Sequence, residues 1–103
     1  MVELIKISAR SVPKSSAGAI AAVVRNGKKA EVQAVGAGAI NQAVKSIAIA
    51  RVYTVEDKLD LICKPSFTNV VIDGTEKTAI QFIVEANNAQ MSSVENNVLE
   101  SMV

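Results

Sequence analysis

The sequence lacks histidine altogether and is poor in cysteine and in aromatic residues. Without histidine, a protein loses its commonest general base and its commonest metal ligand. The single cysteine, Cys63, excludes an intrachain disulfide and a thiolate metal cluster, and it is consistent with a reducing compartment. The aromatic residues are only Tyr53, Phe67 and Phe82, too few for a surface on which successive bases stack. These absences favour a binding protein without a cofactor over an enzyme.

Lys14 lies beside Ser15 and Ser16, and a Ser-Lys pair can in principle support acyl transfer. Serine is also preferred at the start of a helix, where its hydroxyl accepts a hydrogen bond from a free backbone amide. We therefore expect Ser15 or Ser16 to cap a helix that begins at Ala17. Cys63 lies in a predicted strand and is most simply a small core residue. No catalytic residue is assigned.

Nucleotide-binding glycine loops and membrane-spanning runs are also missing. The sequence contains neither GxGxxG nor GxxxxGK[ST], so no dinucleotide or Walker-type site is predicted. No apolar stretch approaches the length of a membrane span, and the opening MVELIKIS lacks the charged front and long apolar run of a signal peptide. We expect a soluble, cytoplasmic protein that does not bind a membrane.

Half of the 103 residues are hydrophobic, which is enough for one aliphatic, alanine-rich core. We place this domain at residues 1–85. Residues 86–103 are more polar, although Ser92 and Glu95 form a candidate capping box. We expect this C-terminal tail to be a short helix or disordered.

Charge is distributed unevenly along the chain. Residues 1–53 carry eight basic and two acidic residues, whereas residues 54–103 carry three basic and eight acidic ones. The halves therefore have net charges of +6 and −5, within a net charge of +1. Such a split can present a basic face to a polyanion or pair the two halves across a dimer. An uneven solvated surface is the plain alternative.

The first half of the chain reads as strand, helix, strand. Alternating apolar residues predict strands at 2–8 and 30–35, and the intervening helix should end at Asn26-Gly27, where a left-handed residue is tolerated. A strand, a helix and a strand of these lengths form a parallel pair. The carboxyl ends of both strands, and the start of the helix after each, should then share one edge of the sheet.

The second half adds a helix and a hairpin. Residues 59–72 are long for one strand, and Pro65 predicts an edge position, a bulge or a break. Asp73-Gly74 is a turn signal before a last strand at 78–85. The predicted fold is α+β, with the order β-α-β-α-β-β. It is a two-layer sandwich with two helices on one face of a four-stranded mixed sheet.

The longest predicted helix follows the glycine-rich turn at Gly36 and continues to about Tyr53. Its core-facing stripe has the spacing of a helix face and consists of Ile40, Ala43, Val44, Ile47 and Ala50. A second apolar set lies off that stripe and consists of Ala48, Ile49, Val52 and Tyr53. Because a helix that is apolar on most sides is usually buried on more than one side, we expect this second set to contact another copy of the chain.

The shared edge is the candidate binding site. Glycines before a helix let the backbone approach an anion, so Gly36 and Gly38 are candidate anion-binding residues, or they merely allow a tight turn and close packing. Two helix starts with nearby cations can hold phosphates. The side-chain candidates at this edge are Arg10, Lys14, Ser15, Ser16, Asn41, Gln42 and Lys45, each of which is otherwise a capping or solvated residue.

Four blocks closely resemble the stage V sporulation protein S family of bacteria over about residues 3 to 85, in the order ISARSVPKSSAGAIAAVVR, AEVQAVGAGAINQAVKSIAIAR, DLICKPSFTNVVIDG and EKTAIQFIVE. That family is similar to Alba-type chromatin and RNA-binding proteins. The resemblance implies an Alba-like fold, a homodimer and nucleic-acid binding, with a role in sporulation and septum formation.

The resemblance also bears on individual residues. Alba proteins have basic residues after the first strand, where this chain has Arg10 and Lys14. They have arginines around the glycine before the second helix, but this chain has no cation at 36–38. Their late hairpin reaches along the nucleic-acid groove, which makes Lys64 and Lys77 further candidates, although Lys77 can instead pair with the adjacent glutamate.

Three hypotheses follow. The leading one is a dimeric, or larger tetrameric, regulatory or architectural protein that binds DNA or RNA through phosphate contacts with little sequence preference. The second is a protein-interaction module of cell division or spore development that does not bind nucleic acid. The third is a site for a small anion at the two helix starts.

Overall fold

The alternating apolar residues do form four strands within residues 1–87, the part of the chain that the computed structural model describes. The elements are β1 (Val2–Ile7), α1 (Pro13–Arg25), β2 (Lys29–Ala34), α2 (Ala37–Tyr53), β3 (Asp60–Ile72) and β4 (Thr75–Asn87). This order confirms the predicted β-α-β-α-β-β fold. The last strand extends to Asn87, and the predicted helix of the tail lies outside the described residues.

The sheet is mixed, with strand order β1-β2-β4-β3. The pair β1 and β2 is parallel, with Ile7 beside Ala34, as expected for strands joined through a helix. The strand β4 runs antiparallel to both of its neighbours, β2 and β3. Neither helix within residues 1–87 has the length and apolar content needed to cross a bilayer.

Both helices pack on one face of the sheet. Alternation along the strands sends the apolar side chains of β2 and β4 to this face, among them Val32, Phe82 and Val84, which are buried. The helices contribute small residues that allow close packing, such as Ala17 and Ala43, both fully buried. The core is therefore aliphatic and alanine-rich, as the composition predicts.

The predicted start of α1 is wrong. The helix begins at Pro13, and Val12 occupies the capping position without a side-chain hydrogen bond. Proline suits a first helical position because its fixed φ is helical and its missing N–H would have no partner there. Ser15 and Ser16 lie within the first turn, and their amides donate to the Val12 carbonyl at 3.0 and 3.1 Å. They are not caps.

The helix α2 begins at Ala37, and the backbone of Gly36 explains why. Gly36 has φ of 89° and ψ of 158°, a region that is essentially restricted to glycine. The predicted core stripe is correct except at Val44, whose side chain is 51% exposed. Ser46 is buried in the same helix and donates to the Gln42 carbonyl at 2.7 Å. The second apolar set lies at the surface or only half-buried.

The long strand β3 is an unbroken edge strand, and this position accommodates Pro65 because an edge residue needs no ladder partner on its outer side. At the turn, Asp73 and Gly74 both have positive φ, 51° and 77°, as in the two-residue turns that match the twist of a hairpin. Since Ala34 pairs with Ile80, residues 68–79 extend beyond β2. We call residues 68–79 the hairpin arm.

Candidate nucleic-acid interface

The parallel strands place the starts of both helices at one edge of the sheet. Ile7 and Ala34 end β1 and β2 side by side, α2 begins three residues after β2, and α1 begins after the loop at residues 8–12. The far ends of the helices also meet, because Arg25 Nη2 donates to the Tyr53 carbonyl at 3.0 Å. We call the first border the helix-start edge and the second the helix-end edge.

The loop after β1 is packed directly against the start of α2. The Gln42 amide Nε2 donates to the Ala9 carbonyl at 3.3 Å. A Cβ placed on Gly38 would lie 3.0 Å from the Ala9 Cβ, so glycine at this position permits the close approach. Within the loop, the Ser11 hydroxyl accepts from the Ser8 amide at 2.9 Å. The loop that carries Arg10 is therefore held against α2.

The two helix starts differ in what their backbone offers to an anion. At α2, no residue of the described chain accepts from the amides of Ala37, Gly38 and Ala39, and the first turn contains no acidic residue. At α1, proline removes one donor, and the next serine amides donate to the Val12 carbonyl. The two predicted helix starts therefore differ, since only α2 offers a set of free amides within residues 1–87.

Within residues 1–87, the cations at the helix-start edge have no carboxylate partner. The free cations, meaning those whose side chains form no ion pair within residues 1–87, include Lys6, Arg10, Lys14 and Lys45, all exposed around this edge. Because no acidic side chain neutralises them, their charge is available to a ligand.

Most cations at the helix-end edge are paired instead, although Lys58 forms no ion pair within residues 1–87. The ion pairs there are Arg25 with Asp57 at 2.8 Å, Lys28 with Glu3 at 2.9 Å, Lys29 with Glu85 at 3.1 Å and Arg51 with Asp60 at 3.0 Å. Apart from Arg51–Asp60, whose carboxylate is buried, these pairs lie largely at the surface and contribute little to stability, but all four offset the positive charge of that edge. The uneven distribution along the sequence thus becomes a surface with net positive charge at the helix-start edge.

Lys14 and Lys45 lie on opposite helices but line the same shallow groove, of about 450 Å³. The rest of the groove is aliphatic and is formed by Val12, Pro13, Ala48 and Ile49. The fold therefore brings together two predicted cations that are separated by 31 positions in the sequence. Asn41 is exposed in the first half of α2, while Gln42 is engaged with the loop as described.

The two hairpin candidates are not part of this cluster. Lys64 lies beside Ile83 on the sheet face away from the helices, and its Nζ is 3.9 Å from Glu85. Lys77 is on the hairpin arm beside Val70, is exposed and does not form the ion pair with the neighbouring glutamate that was the alternative to nucleic-acid contact. Lys64 therefore belongs to the paired charges, whereas Lys77 extends the free cations along the arm.

Sequence reasoning missed Lys6. It is the single lysine of β1, and the parallel register places it directly beside Gln33 on the sheet face away from the helices. Strand alternation could have indicated that Lys6 faces away from Ile5 and Ile7. Its proximity to the other free cations depends on the register between two strands, which the pattern of one strand does not specify.

Cys63 lies outside the cluster and is not the core residue that we expected. It sits on the exposed edge strand β3, where partial burial raises the pKa of the thiol and the nearby Arg51 guanidinium opposes that rise. Arg51 itself is held by Asp60. An uncharged thiol beside an ion pair at the helix-end edge has no evident role in binding an anion.

The fold and the site define a class: a small Alba-like α+β domain with free cations and free helix amides at one edge. A comparison with protein-family models matches the family Stage V sporulation protein S over residues 3–87. The chain belongs to this family, as the four sequence blocks indicate. Membership supports a role related to sporulation.

Proposed function

We propose that this chain is a dimeric, non-enzymatic protein that binds DNA or RNA and acts as a regulatory or architectural factor in sporulation and septum formation. The observation that carries the proposal is the contrast between the two edges. Within residues 1–87, the four cations of the helix-start edge form no ion pair and share that edge with the free amides of α2, while four cations at the opposite edge are paired with carboxylates.

The chemistry of the helix-start edge suits a phosphate backbone. Lysine and arginine contact phosphates without reading base sequence, and the free amides at the start of α2 add donors with the favourable sign of the helix dipole. Phosphate contacts of this kind serve duplex and single-stranded nucleic acid alike. We therefore expect affinity for DNA and for RNA, little sequence preference and strong dependence on ionic strength.

Fluorescence anisotropy at low salt tests the proposal with labelled duplex DNA and single-stranded RNA. Lys14→Ala and Lys45→Ala should each weaken binding to both by roughly 3- to 10-fold, as loss of one phosphate contact of about 1 kcal/mol predicts. Lys58→Asn is the matched control. It removes one free cation at the helix-end edge, and asparagine tolerates the positive φ of 57° at this position.

Two results would contradict nucleic-acid binding at this edge. One is the absence of binding at low salt by the wild-type chain. The other is an equal loss for Lys58→Asn and Lys14→Ala, since that would reflect net charge rather than contacts at the helix-start edge.

Dimerisation is supported by the exposed side of α2. Val44, Val52 and Tyr53 are 51%, 39% and 37% exposed, next to the exposed Ala48. A contiguous apolar strip of this kind typically marks an interaction surface. We expect Val52→Asp to convert a dimer to a monomer in sedimentation velocity, whereas Leu4→Asp, at an exposed apolar position on the other sheet face, should leave the dimer intact. A wild-type chain that sediments as a monomer would contradict this part of the proposal.

A protein-interaction module of cell division or spore development is the second candidate, because the hairpin region has exposed apolar side chains of its own. Phe67 is 80% exposed at the base of the hairpin arm, and Val71 is 73% exposed near its tip. Recovery of a defined protein partner after nuclease treatment, lost in Phe67→Ser, would favour this candidate. Retention of binding to purified nucleic acid in the same variant would favour the first.

A further inference from the structure

A second concave site lies on the sheet side of the helix-start edge. A cavity of about 340 Å³ opens between the ends of β1 and β2 and the hairpin arm. Val70–Ile72 of the arm forms one wall, and Lys6 and Gln33 contribute its polar groups. This volume is at the lower end of the range of about 300–1,000 Å³ that small-molecule sites occupy.

Within residues 1–87, the side chains of Lys6 and Gln33 have no ionic or hydrogen-bonding partner, whereas the other polar side chain of the cavity, Ser8, is bonded to Ser11. Lys6 and Gln33 are register partners on neighbouring strands, so their side chains lie side by side on the sheet face away from the helices. Lys6 forms no ion pair, and the Gln33 amide forms no hydrogen bond with any other group of residues 1–87. A half-buried amide therefore presents both a donor and an acceptor to the cavity, next to one positive charge.

Ala9 lies between this cavity and the helix-start edge. It lines the cavity, and it also contacts the start of α2 through its carbonyl, which accepts from Gln42, and through its Cβ, which faces Gly38. Arg10 is the next residue along the same loop. A chain whose phosphates lie on the free cations could therefore direct a base over this loop and into the cavity.

We propose that this cavity binds one unpaired nucleobase of a single-stranded nucleic acid, an inference that rests on the proposed function. Three features of the cavity match this ligand. Aliphatic side chains of the arm cover the faces of the base, the Gln33 amide bonds its edge and Lys6 holds the adjoining phosphate. A paired base cannot enter, because its edge is engaged in the duplex.

The amide also indicates which bases fit best. A glutamine amide pairs with adenine through two hydrogen bonds, donating to one ring nitrogen and accepting from the exocyclic amine. Unpaired cytosine presents the same arrangement at its N3 and N4, whereas thymine and uracil have no exocyclic amine. The cavity therefore favours adenine or cytosine over thymine and uracil, while the remaining contacts to the strand are made by phosphates and are the same for every base.

Anisotropy with three ligands of equal phosphate number tests the proposal: a single-stranded deoxyadenosine oligomer, the same backbone with abasic sugars throughout, and a duplex of half that length. The wild-type chain should bind the adenosine oligomer about 5- to 20-fold more tightly than the abasic strand, as a desolvated base with its hydrogen bonds predicts. Gln33→Leu should remove most of this difference and leave duplex binding unchanged. Lys14→Ala should weaken binding to all three ligands.

The outcomes separate the two proposals. If the wild-type chain binds the adenosine and abasic strands equally while Lys14→Ala weakens binding to both, the proposed base site in the cavity is wrong. Phosphate binding at the helix-start edge is then still supported. If no ligand binds at low salt, both proposals fail. The comparison of ligands uses the wild-type chain, so it holds even if Gln33→Leu impairs folding, which thermal melting by circular dichroism would reveal.

Discussion

The salt dependence of nucleic-acid binding measures how many phosphates contact the helix-start edge. Replacing Lys14 with alanine should reduce that number by one. Each neutralised phosphate releases counterions, so the logarithm of the association constant falls with the logarithm of salt concentration by about 0.9 per contact on duplex DNA. Among residues 1–87, four free cations lie at this edge, namely Lys6, Arg10, Lys14 and Lys45. If all four contact phosphates, the slope is about −3.6 per chain.

That slope has a measurable consequence. Between about 50 and 200 mM salt, a slope of about −3.6 weakens duplex binding by about 150-fold. Lys14→Ala reduces the slope to about −2.7, so the same change in salt weakens its binding by only about 40-fold. On a single strand, about 0.7 per contact applies, and the full slope is about −2.8. If two protomers bind one nucleic acid, both the slope and its decrease double.

The assay is anisotropy at four or more salt concentrations for wild type, Lys14→Ala and the control Lys58→Asn. Lys58 has no ion pair either, but it lies at the helix-end edge, so its removal should shift affinity slightly and leave the slope unchanged. A wild-type slope near zero would refute the reasoning, as would a Lys14→Ala slope equal to that of the wild type. In either case the unpaired cations would not be phosphate ligands.

Two further predictions concern stability and thiol chemistry. Gly36→Ala should lower the free energy of unfolding by about 1–3 kcal/mol, because alanine is strained at φ of 89° and ψ of 158°. Gly18→Ala should instead raise it by about 0.5–1 kcal/mol, because Gly18 is inside α1 with no atom within 4 Å of an added Cβ. Urea titration measures both, and equal effects would contradict the backbone argument. Cys63 should react with iodoacetamide more slowly than a free thiol at mildly alkaline pH, because burial raises its pKa and the thiolate is the nucleophile. Arg51→Leu removes the opposing charge, raises that pKa further and should slow the reaction again, with Lys64→Ala as the unaffected control; faster alkylation in Arg51→Leu would show that the assignment is wrong.

The element order was predictable because helix and strand periods are local. Val32 and Ala34 alternate with polar residues, Pro65 requires an edge, and Asp73-Gly74 forms the turn that its residue types favour. The start of α1 was misplaced because two competing local signals were present. Serine capping predicts a start at Ala17, whereas the fixed φ of Pro13 suits the first helical position that it occupies.

The candidate site was predictable only in part. Arg10, Lys14 and Lys45 were identified because each lies next to a predicted helix start or on the helix that follows it. Lys6 was missed, and Lys64 was included although it faces Glu85. Both errors concern the register between strands, which arises from pairing across the sheet.

By itself, the sequence determined the family, the order of elements and the supply of cations, because these depend on residue identity and on short-range periodicity. Only the tertiary structure decided which cations remain free. Lys28 and Glu3 are 25 positions apart and Arg25 and Asp57 are 32 apart, yet each pair meets at the helix-end edge. Coulomb attraction acts over a few ångströms of space, whatever the separation along the chain, so the charge that a ligand encounters is set by the packed fold.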